Sequence, residues 1–249
     1  MCRSIARVCD LEVREIGEGD VAGVGLPEGM RQVETRDFGC VWVVEALWER
    51  FRIGEEVRAL ERENGGGVGY EGALFAMTAN RLCEPESKLG VWERWLGRVY
   101  LPSCWGVGLG QMYKAMDLLY ENGERVEKAV FSRVADLFNV EVDVVFYDTT
   151  TCSFSVDEED EEGGIRRFGH SKEGGWQVEV KVALAVTREG LPVRSFVFPG
   201  HVSDVETVEG VKRELRGWKL GRALFVADSG MNSLANRRGR IFWPVVLGL

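Results

Sequence analysis

The chain has 249 residues, of which 45% are hydrophobic and 29% charged, and its formal net charge is −9. This composition is that of a globular protein and excludes a disordered or fibrous chain, and the length suits one large domain or two small ones. The first ten residues lack the apolar core of a secretory signal, and no apolar run of about 18 residues predicts a membrane span. We therefore expect a cytoplasmic protein with no membrane association.

The net charge argues against a surface that binds nucleic acid throughout, because contacts to phosphate need Lys and Arg. The charges are unevenly distributed, however. Residues 157–162 are six consecutive acids, whereas residues 205–240 contain eight Lys or Arg and four Asp or Glu. A local basic face is therefore compatible with the acidic total, and we expect the acidic run to form a solvated, flexible loop that repels DNA from a wrong approach.

The six cysteines are scattered along the chain, with no C-x-x-C pair and no His at the spacing of a zinc ligand. This pattern predicts buried, reduced thiols, and it indicates neither a zinc site nor a disulfide framework.

Apolar residues recur at three and four positions up to about residue 139, which predicts a mainly helical first domain over residues 1–139. Helices are predicted over residues 41–50, 55–64, 71–82 and 88–95. Two packed helices should follow, with inner faces formed by Leu109, Met112, Met116 and Leu119 and by Val126, Val130, Val134 and Leu137. We expect four tryptophans to pack between helices rather than to stack on bases: Trp42, Trp48, Trp92 and Trp95.

The pattern changes after residue 140. A β-branched and aromatic run over 142–147 predicts a buried strand that ends at Asp148, and residues 178–187 and 193–198 predict a hairpin around a turn at 188–190. Ser203 and Glu206 match a capping box, so a helix should begin there and run to about Arg216. A short strand over 223–226 and a last helix near Ser233 complete the pattern.

This order of elements predicts an α/β fold in which the helical first domain is followed, over residues 140–249, by a ribonuclease H-like mixed sheet with flanking helices. Asp148 ends the first strand and Asp228 follows the fourth. If these strands are neighbours, the two carboxylates converge at their carboxyl ends, where a ligand can reach them. Carboxylates are the ligands of hard divalent cations, which cleave phosphodiesters. A turn or capping role for each Asp is the alternative.

Six blocks of the second domain, taken in order, resemble successive blocks of the DDE transposases of bacterial insertion sequences, which have a ribonuclease H-like catalytic domain. The blocks are residues 145–151 (VFYDTTT), 169–172 (GHSK), 182–193 (VALAVTREGLPV), 198–200 (FPG), 216–222 (RGWKLGR) and 226–231 (VADSGM). The resemblance covers roughly residues 40–238.

The resemblance implies a transposase that cleaves DNA and transfers strands with Mg²⁺ or Mn²⁺. Asp148 and Asp228 would be the first two of three metal-binding acids. It also implies that the helical domain contributes to binding the terminal inverted repeats of the element, and a homodimer is compatible with that role.

The chain departs from the family's pattern at its end. The family's third acid is a Glu on a helix well downstream of the second Asp, but no acid follows Asp228, and residues 241–249 are an apolar tail. His201 also stands where the family has Asn, and Glu206 and Glu209 are not expected to replace the third acid. We therefore predict a truncated catalytic domain without activity. The alternatives are a DNA-binding fragment that competes with intact transposase and a non-functional pseudogene product.

Six further residues are candidates for contacts to the DNA backbone, because they are cationic or can become so: His170, Lys172, Arg213, Arg216, Lys219 and Arg222. An exposed loop around His170 and a solvated helix face around Arg213 explain the same residues without DNA.

Overall fold

The computed structural model describes residues 35–65, 69–138, 142–170, 175–215, 218, 224–228, 231 and 245–247. The chain divides into two compact units, Met1–Val126 and Glu127–Leu249. In the described part of the chain, no helix is long and apolar enough to cross a membrane.

The described residues of the first unit are mostly helical, as predicted. Its helices are α1 (Gly39–Arg50), α2 (Ile53–Glu63), α3 (Tyr70–Cys83), α4 (Lys88–Gly90), α5 (Leu96–Arg98) and the first part of α6 (Leu109–Phe138). A π-helical turn (Val91–Trp95) joins α4 to α5, and a 3-10 turn (Pro102–Cys104) precedes α6.

Helices α1 and α3 pack on each other through aromatic and apolar side chains. The rings of Trp48 and Phe75 are 5.2 Å apart, and Trp48 Nε1 donates a hydrogen bond to Glu71 Oε1 at 2.8 Å. Trp48 and Trp95 are buried, as predicted. The same prediction is wrong for Trp42 and Trp92, which are 55% and 44% exposed, because they lie on the outer faces of their helices.

The prediction of reduced cysteines is wrong for one pair. Cys40, near the start of α1, and Cys83, at the end of α3, form a disulfide with their Cα atoms 5.9 Å apart. The cysteines are 43 positions apart in sequence and are brought together by the packing of the two helices, which motif spacing does not detect. Of the free cysteines among the described residues, Cys104 is buried, as predicted, whereas Cys152 is exposed.

The prediction of two helices after residue 108 is confirmed, because α6 (Leu109–Phe138) consists of two helical segments that meet at a kink at Asn122, whose backbone is non-helical (φ −120°, ψ 15°). Its buried residues include Met112, Ala115 and Leu118, whereas Met116 and Leu119 of the predicted face are exposed. The buried stripe passes through a small residue, Ala115, which a count of large apolar side chains overlooks.

The second unit contains a mixed sheet. Its strands are β1 (Val144–Ser153), β2 (Arg167–His170), β3 (Trp176–Thr187), β4 (Pro192–Pro199), β5 (Leu224–Ala227) and β6 (Val245–Leu247). The order is β2-β3-β1-β5-β6, with β4 also paired to β3. Strand β1 is antiparallel to β3 and parallel to β5, and β5 is parallel to β6.

The α/β fold with a mixed sheet is therefore confirmed, as is the β3–β4 hairpin. Strands β2 and β6 were not predicted. Strand β6 lies in the stretch that the sequence indicated to be an apolar tail, and the predicted helix near Ser233 falls outside the described residues.

Helix α7 (Asp204–Leu215) covers one face of the sheet. Val208, Val211 and Leu215 are buried, and they pack with Trp218, Phe131 of α6 and residues of β1, β3, β4 and β5. The capping box forms only in part. Glu206 accepts a hydrogen bond from the Ser203 N–H at 2.9 Å, but the Ser203 hydroxyl donates to the same carboxylate oxygen instead of capping an N–H of the helix.

The acidic run 157–162 is solvated, as expected, and two arginines form hydrogen bonds with it. Arg167 donates to the carbonyl oxygens of Asp160, Glu161 and Gly164 at 2.9, 2.8 and 3.1 Å. Arg166 Nε also donates to Asp160 Oδ1 at 2.6 Å. The two arginines neutralise part of the run and fix the turn that leads into β2.

A comparison of two glycines tests the packing of the sheet. A Cβ on Gly200 would collide with the backbone oxygens of Arg167 and Glu179, whereas a Cβ on Gly210, within α7, would meet nothing within 4 Å. We expect Gly200→Ala to lower the free energy of unfolding by roughly 1–3 kcal/mol and Gly210→Ala to raise it by about 1 kcal/mol. Urea denaturation followed by circular dichroism measures both values, and equal stability of the two variants would contradict this packing.

A buried lysine gives a second test. Lys212 of α7 lies 5.4 Å from the centre of the Phe225 ring, and burial lowers its pKa, against the opposing charge of Glu209. A lowered pKa means that the folded protein releases this proton more readily than the unfolded chain. As the pH falls below the ordinary value of 10.5, protonation of the buried Lys212 therefore lowers the free energy of unfolding.

We expect Lys212→Met to stabilise the protein more at pH 7 than near pH 10. Lys114→Met, which removes the same charge from an exposed position of α6, should show no such difference. Urea denaturation at the two pH values measures the free energy of unfolding of each variant. An effect of Lys212→Met that is independent of pH would contradict a lowered pKa of Lys212.

Candidate metal centre

The pairing of β1 with β5 brings Asp148 and Asp228 side by side. Tyr147 of β1 is in register with Ala227 of β5, and the two strands are parallel. The next residue of each strand is an aspartate, so Asp148 and Asp228 follow the same paired position. Neighbouring strands are about 4.8 Å apart, and we therefore expect a comparable distance between the Cα atoms of the two aspartates.

The prediction that β1 ends at Asp148 is wrong, because Asp148 lies within the strand. Strand β1 continues to Ser153, because residues 145–153 pair with β3 and the run Thr149, Thr150 and Thr151 has high β-propensity. Strand β5 does stop at Ala227, immediately before Asp228. The two carboxylates therefore lie where β5 ends against the middle of β1.

Both aspartates are exposed on the same face of the sheet. Side chains alternate along a strand, and in β1 Val145, Tyr147 and Thr149 are buried, whereas Phe146 and Asp148 are exposed. Phe225 and Ala227 of β5 are buried, and Asp228, the first residue after the strand, is exposed. Alternation and register thus give the two carboxylates a common direction, away from the face that α7 covers.

The surroundings of each carboxylate are partly defined. Asp148 Oδ1 accepts a hydrogen bond from the backbone N–H of Thr149 at 2.8 Å. The backbone oxygen of Asp228 accepts from the N–H of Met231 at 2.9 Å, and Met231 is buried in the core. This hydrogen bond links the residue that carries the second carboxylate to the core.

Tyr147 connects β1 to α7 directly behind Asp148. Its hydroxyl donates to Thr207 Oγ1 at 2.7 Å, and Thr207 Oγ1 donates to the Asp204 carbonyl oxygen at 2.6 Å. Burial raises the pKa of Tyr147 to about 12, against the effect of the Thr207 hydrogen bond. The ring also contacts Phe225 of β5, with centroids 5.6 Å apart. The neutral tyrosine therefore fixes β1, β5 and α7 to one another beside the site.

The donor set fits a hard divalent cation, because two carboxylates on one exposed face can bind Mg²⁺ or Mn²⁺ together with water and substrate phosphate. No group of three or more His, Cys, Asp or Glu side chains with metal-binding geometry occurs among the described residues. Glu206 and Glu209 belong to α7, which packs on the opposite face, and Glu206 is hydrogen-bonded to Ser203. Neither joins the aspartate pair.

Apolar side chains surround the pair on the open face, a feature that the sequence prediction missed. Phe146 is 42% exposed, Leu184, the cross-strand partner of Asp148, is 43% exposed, and Val197 of β4 is 53% exposed. The prediction of a buried strand over residues 142–147 is wrong for Phe146, because side chains alternate along the strand and only Val145 and Tyr147 face the core.

The predicted DNA contacts lie away from the pair or outside the described residues. His170 pairs with Trp176, which is eight residues along β3 from Leu184, so it lies roughly 25 Å from the neighbourhood of Asp148. Arg213 is exposed on α7, the helix of the opposite face. Lys172, Arg216, Lys219 and Arg222 fall outside the described residues.

No protein-family model matches the chain, and no curated protein matches it. Among solved structures, the chain is similar to the Mos1 transposase in its paired-end complex with the left transposon end, with 12% identity and a TM-score of 0.25. The match covers 96% of this chain and 62% of the transposase chain, so it spans less than two thirds of that protein. The assignment of function therefore depends on the residues of the site and not on this likeness.

Proposed function

We propose that the protein is a transposase-type DNA enzyme whose Asp148 and Asp228 hold a divalent cation at the open face of the sheet. The observation that carries the proposal is the matched position of the two aspartates on neighbouring parallel strands. The ordered blocks that resemble insertion-sequence DDE transposases support it, because both aspartates lie within those blocks.

The cation is Mg²⁺ or Mn²⁺, which would polarise a phosphodiester and stabilise the charge that develops during cleavage and strand transfer. Asp148 and Asp228 supply the negative charge that attracts it. The backbone N–H of Thr149 orients one oxygen of Asp148 and leaves the other available. Two carboxylates alone form a weak site, so we expect tight binding only when DNA phosphate supplies further oxygens.

DNA is the proposed substrate, and the terminal inverted repeats of an insertion sequence are the proposed target. The net charge of −9 means that DNA must approach through a restricted basic surface. Arg216, Lys219 and Arg222, which follow α7 in the sequence, are the candidates for that surface, and the acidic run 157–162 would repel DNA from a wrong approach. A homodimer remains a prediction that light scattering can test.

Metal binding tests the site directly. We expect the wild-type protein to bind Mn²⁺ with an affinity on the order of 1 mM. Asp148→Asn and Asp228→Asn should each weaken binding by at least about tenfold, because each removes a charged ligand. Glu189→Gln is the matched control, since it removes the same charge from the exposed turn between β3 and β4. Titration followed by Mn²⁺ electron paramagnetic resonance measures the free ion, and equal affinity of all four proteins would contradict the site.

DNA cleavage tests the proposed chemistry. The missing third acid predicts little or no nicking of a supercoiled plasmid that carries the element's ends, even with Mn²⁺. Any nicking that the two aspartates support should fall by at least about 100-fold in Asp148→Asn and Asp228→Asn and be unchanged in Glu189→Gln. Nicking that persists in the two asparagine variants would show that the activity has another origin.

The same experiment separates the enzyme from the non-catalytic alternative. A salt-dependent gel shift on the terminal repeats without nicking would reject the catalytic part of the proposal and favour a DNA-binding protein that competes with intact transposase. The absence of both nicking and binding would reject the assignment to DNA.

A further inference from the structure

The contacts between α1 and α3 hold both ends of an antiparallel helix pair. At one end the disulfide joins Cys40, in the first turn of α1, to Cys83, the last residue of α3. At the other end, Trp48 near the end of α1 contacts Phe75 and Glu71 near the start of α3. One end is therefore closed by a covalent bond and the other by an aromatic contact and a hydrogen bond.

The start of α1 has a second attachment that does not involve α3. The backbone N–H of Asp37 donates to the Arg98 oxygen at 2.9 Å, and the N–H of Tyr100 donates to the Asp37 oxygen at 2.8 Å. The rings of Phe38 and Tyr100 meet edge to face, with centroids 5.7 Å apart. These contacts would keep residues 37–38 in place without the disulfide, but they do not hold Cys40 against α3.

Both cysteines of the disulfide are at least partly exposed, whereas Cys104, the third cysteine among the described residues of the first unit, is buried. Cys40 is exposed and Cys83 is partly exposed. Cys104, by contrast, is buried, its Sγ donates to the Gly72 oxygen at 3.2 Å, and burial raises its pKa to about 12. A thiol in solution can therefore reach the Cys40 sulfur, whereas Cys104 cannot act as an internal thiolate that exchanges with the bridge.

We propose that the Cys40–Cys83 disulfide is a reversible redox clamp that controls the opening of α1 from α3. A dithiol is the reductant. Its thiolate attacks Cys40 Sγ, the bond between the two sulfurs breaks, and the Cys83 thiolate leaves and takes up a proton. The second thiol of the reagent then closes a ring on the mixed disulfide and releases the Cys40 thiol. The bridge gains two electrons and two protons, and the dithiol becomes a cyclic disulfide.

The reduced protein should open locally and remain folded. The buried side chains of Val41 and Val44 and the contacts of Trp48 continue to attach α1. In the reduced protein no covalent bond links residues 40 and 83, so the first turns of α1 can separate from α3. The open state therefore becomes more populated. The sheet of the second unit contains no part of this loop, and its exchange should be unaffected.

Hydrogen–deuterium exchange with mass spectrometry tests this clamp in the intact chain. We expect the non-reducing digest to contain a Cys40–Cys83 cross-linked peptide. Dithiothreitol should accelerate exchange of amides in residues 39–50 by roughly 10- to 100-fold and leave β1 and β3 unchanged. Removal of dithiothreitol and addition of glutathione disulfide, which accepts the two electrons and two protons and becomes two glutathione thiols, should restore the slow exchange. Cys40→Ser should match the reduced wild type and not respond to dithiothreitol, and Cys152→Ser, which replaces the exposed free cysteine of β1, should behave as wild type.

Two results would overturn the proposal. One is a digest in which Cys40 or Cys83 is a free thiol under non-reducing conditions or is paired with Cys2 or Cys9. The other is exchange in residues 39–50 that dithiothreitol does not change. If Cys40→Ser does not fold, the comparison of oxidised and reduced wild-type protein decides the matter without it.

Discussion

The parallel pairing of β1 with β5 is the constraint on which the candidate site depends. Each strand carries an aspartate immediately after the last paired position, Tyr147 with Ala227. A shift of one residue in this pairing would put one carboxylate on the face covered by α7, where an unpaired charge would be costly to bury. The register is specified because Phe225 and Ala227 must meet Val145 and Tyr147 in the same core.

The two faces of the sheet have different roles. One face packs on α7 and contains the Tyr147–Thr207 hydrogen bond, which fixes β1 behind the site. The other carries Asp148 and Asp228 among exposed apolar side chains, including Phe146 and Leu184. The packing of β1 and β5 against α7 limits the movement of the two strands that position the aspartates. The aspartates themselves lie on the exposed side, where a cation and a phosphate can reach them.

The sequence predicted much of the fold because its local patterns are strong. The 3.6-residue spacing predicted α1, α2 and α3 to within a few residues, and the S-x-x-E pattern located the start of α7. The strands β2 and β6 were missed, since β2 has only four residues with Gly169 among them and β6 has only three. The Cys40–Cys83 bridge depends on packing between distant segments, which local spacing does not reveal.

The site was predicted in part for the same reason. The sequence indicated both aspartates and the strands that carry them, but their proximity was conditional on the pairing of β1 with β5. It could not indicate the continuation of β1 beyond Asp148, which depends on pairing with β3, or the open apolar face around it. His170 and Arg213 were predicted to contact the DNA backbone because of their charge alone, and the topology separates them from the aspartates.

The central claim is that Asp148 and Asp228 share a cation, and anomalous X-ray diffraction from crystals soaked in Mn²⁺ tests it most directly. The account predicts an anomalous peak between the two carboxylates, about 2.0–2.3 Å from an oxygen of each. Carboxylates on opposite faces of the sheet, or a peak that contacts only one of them, would contradict it.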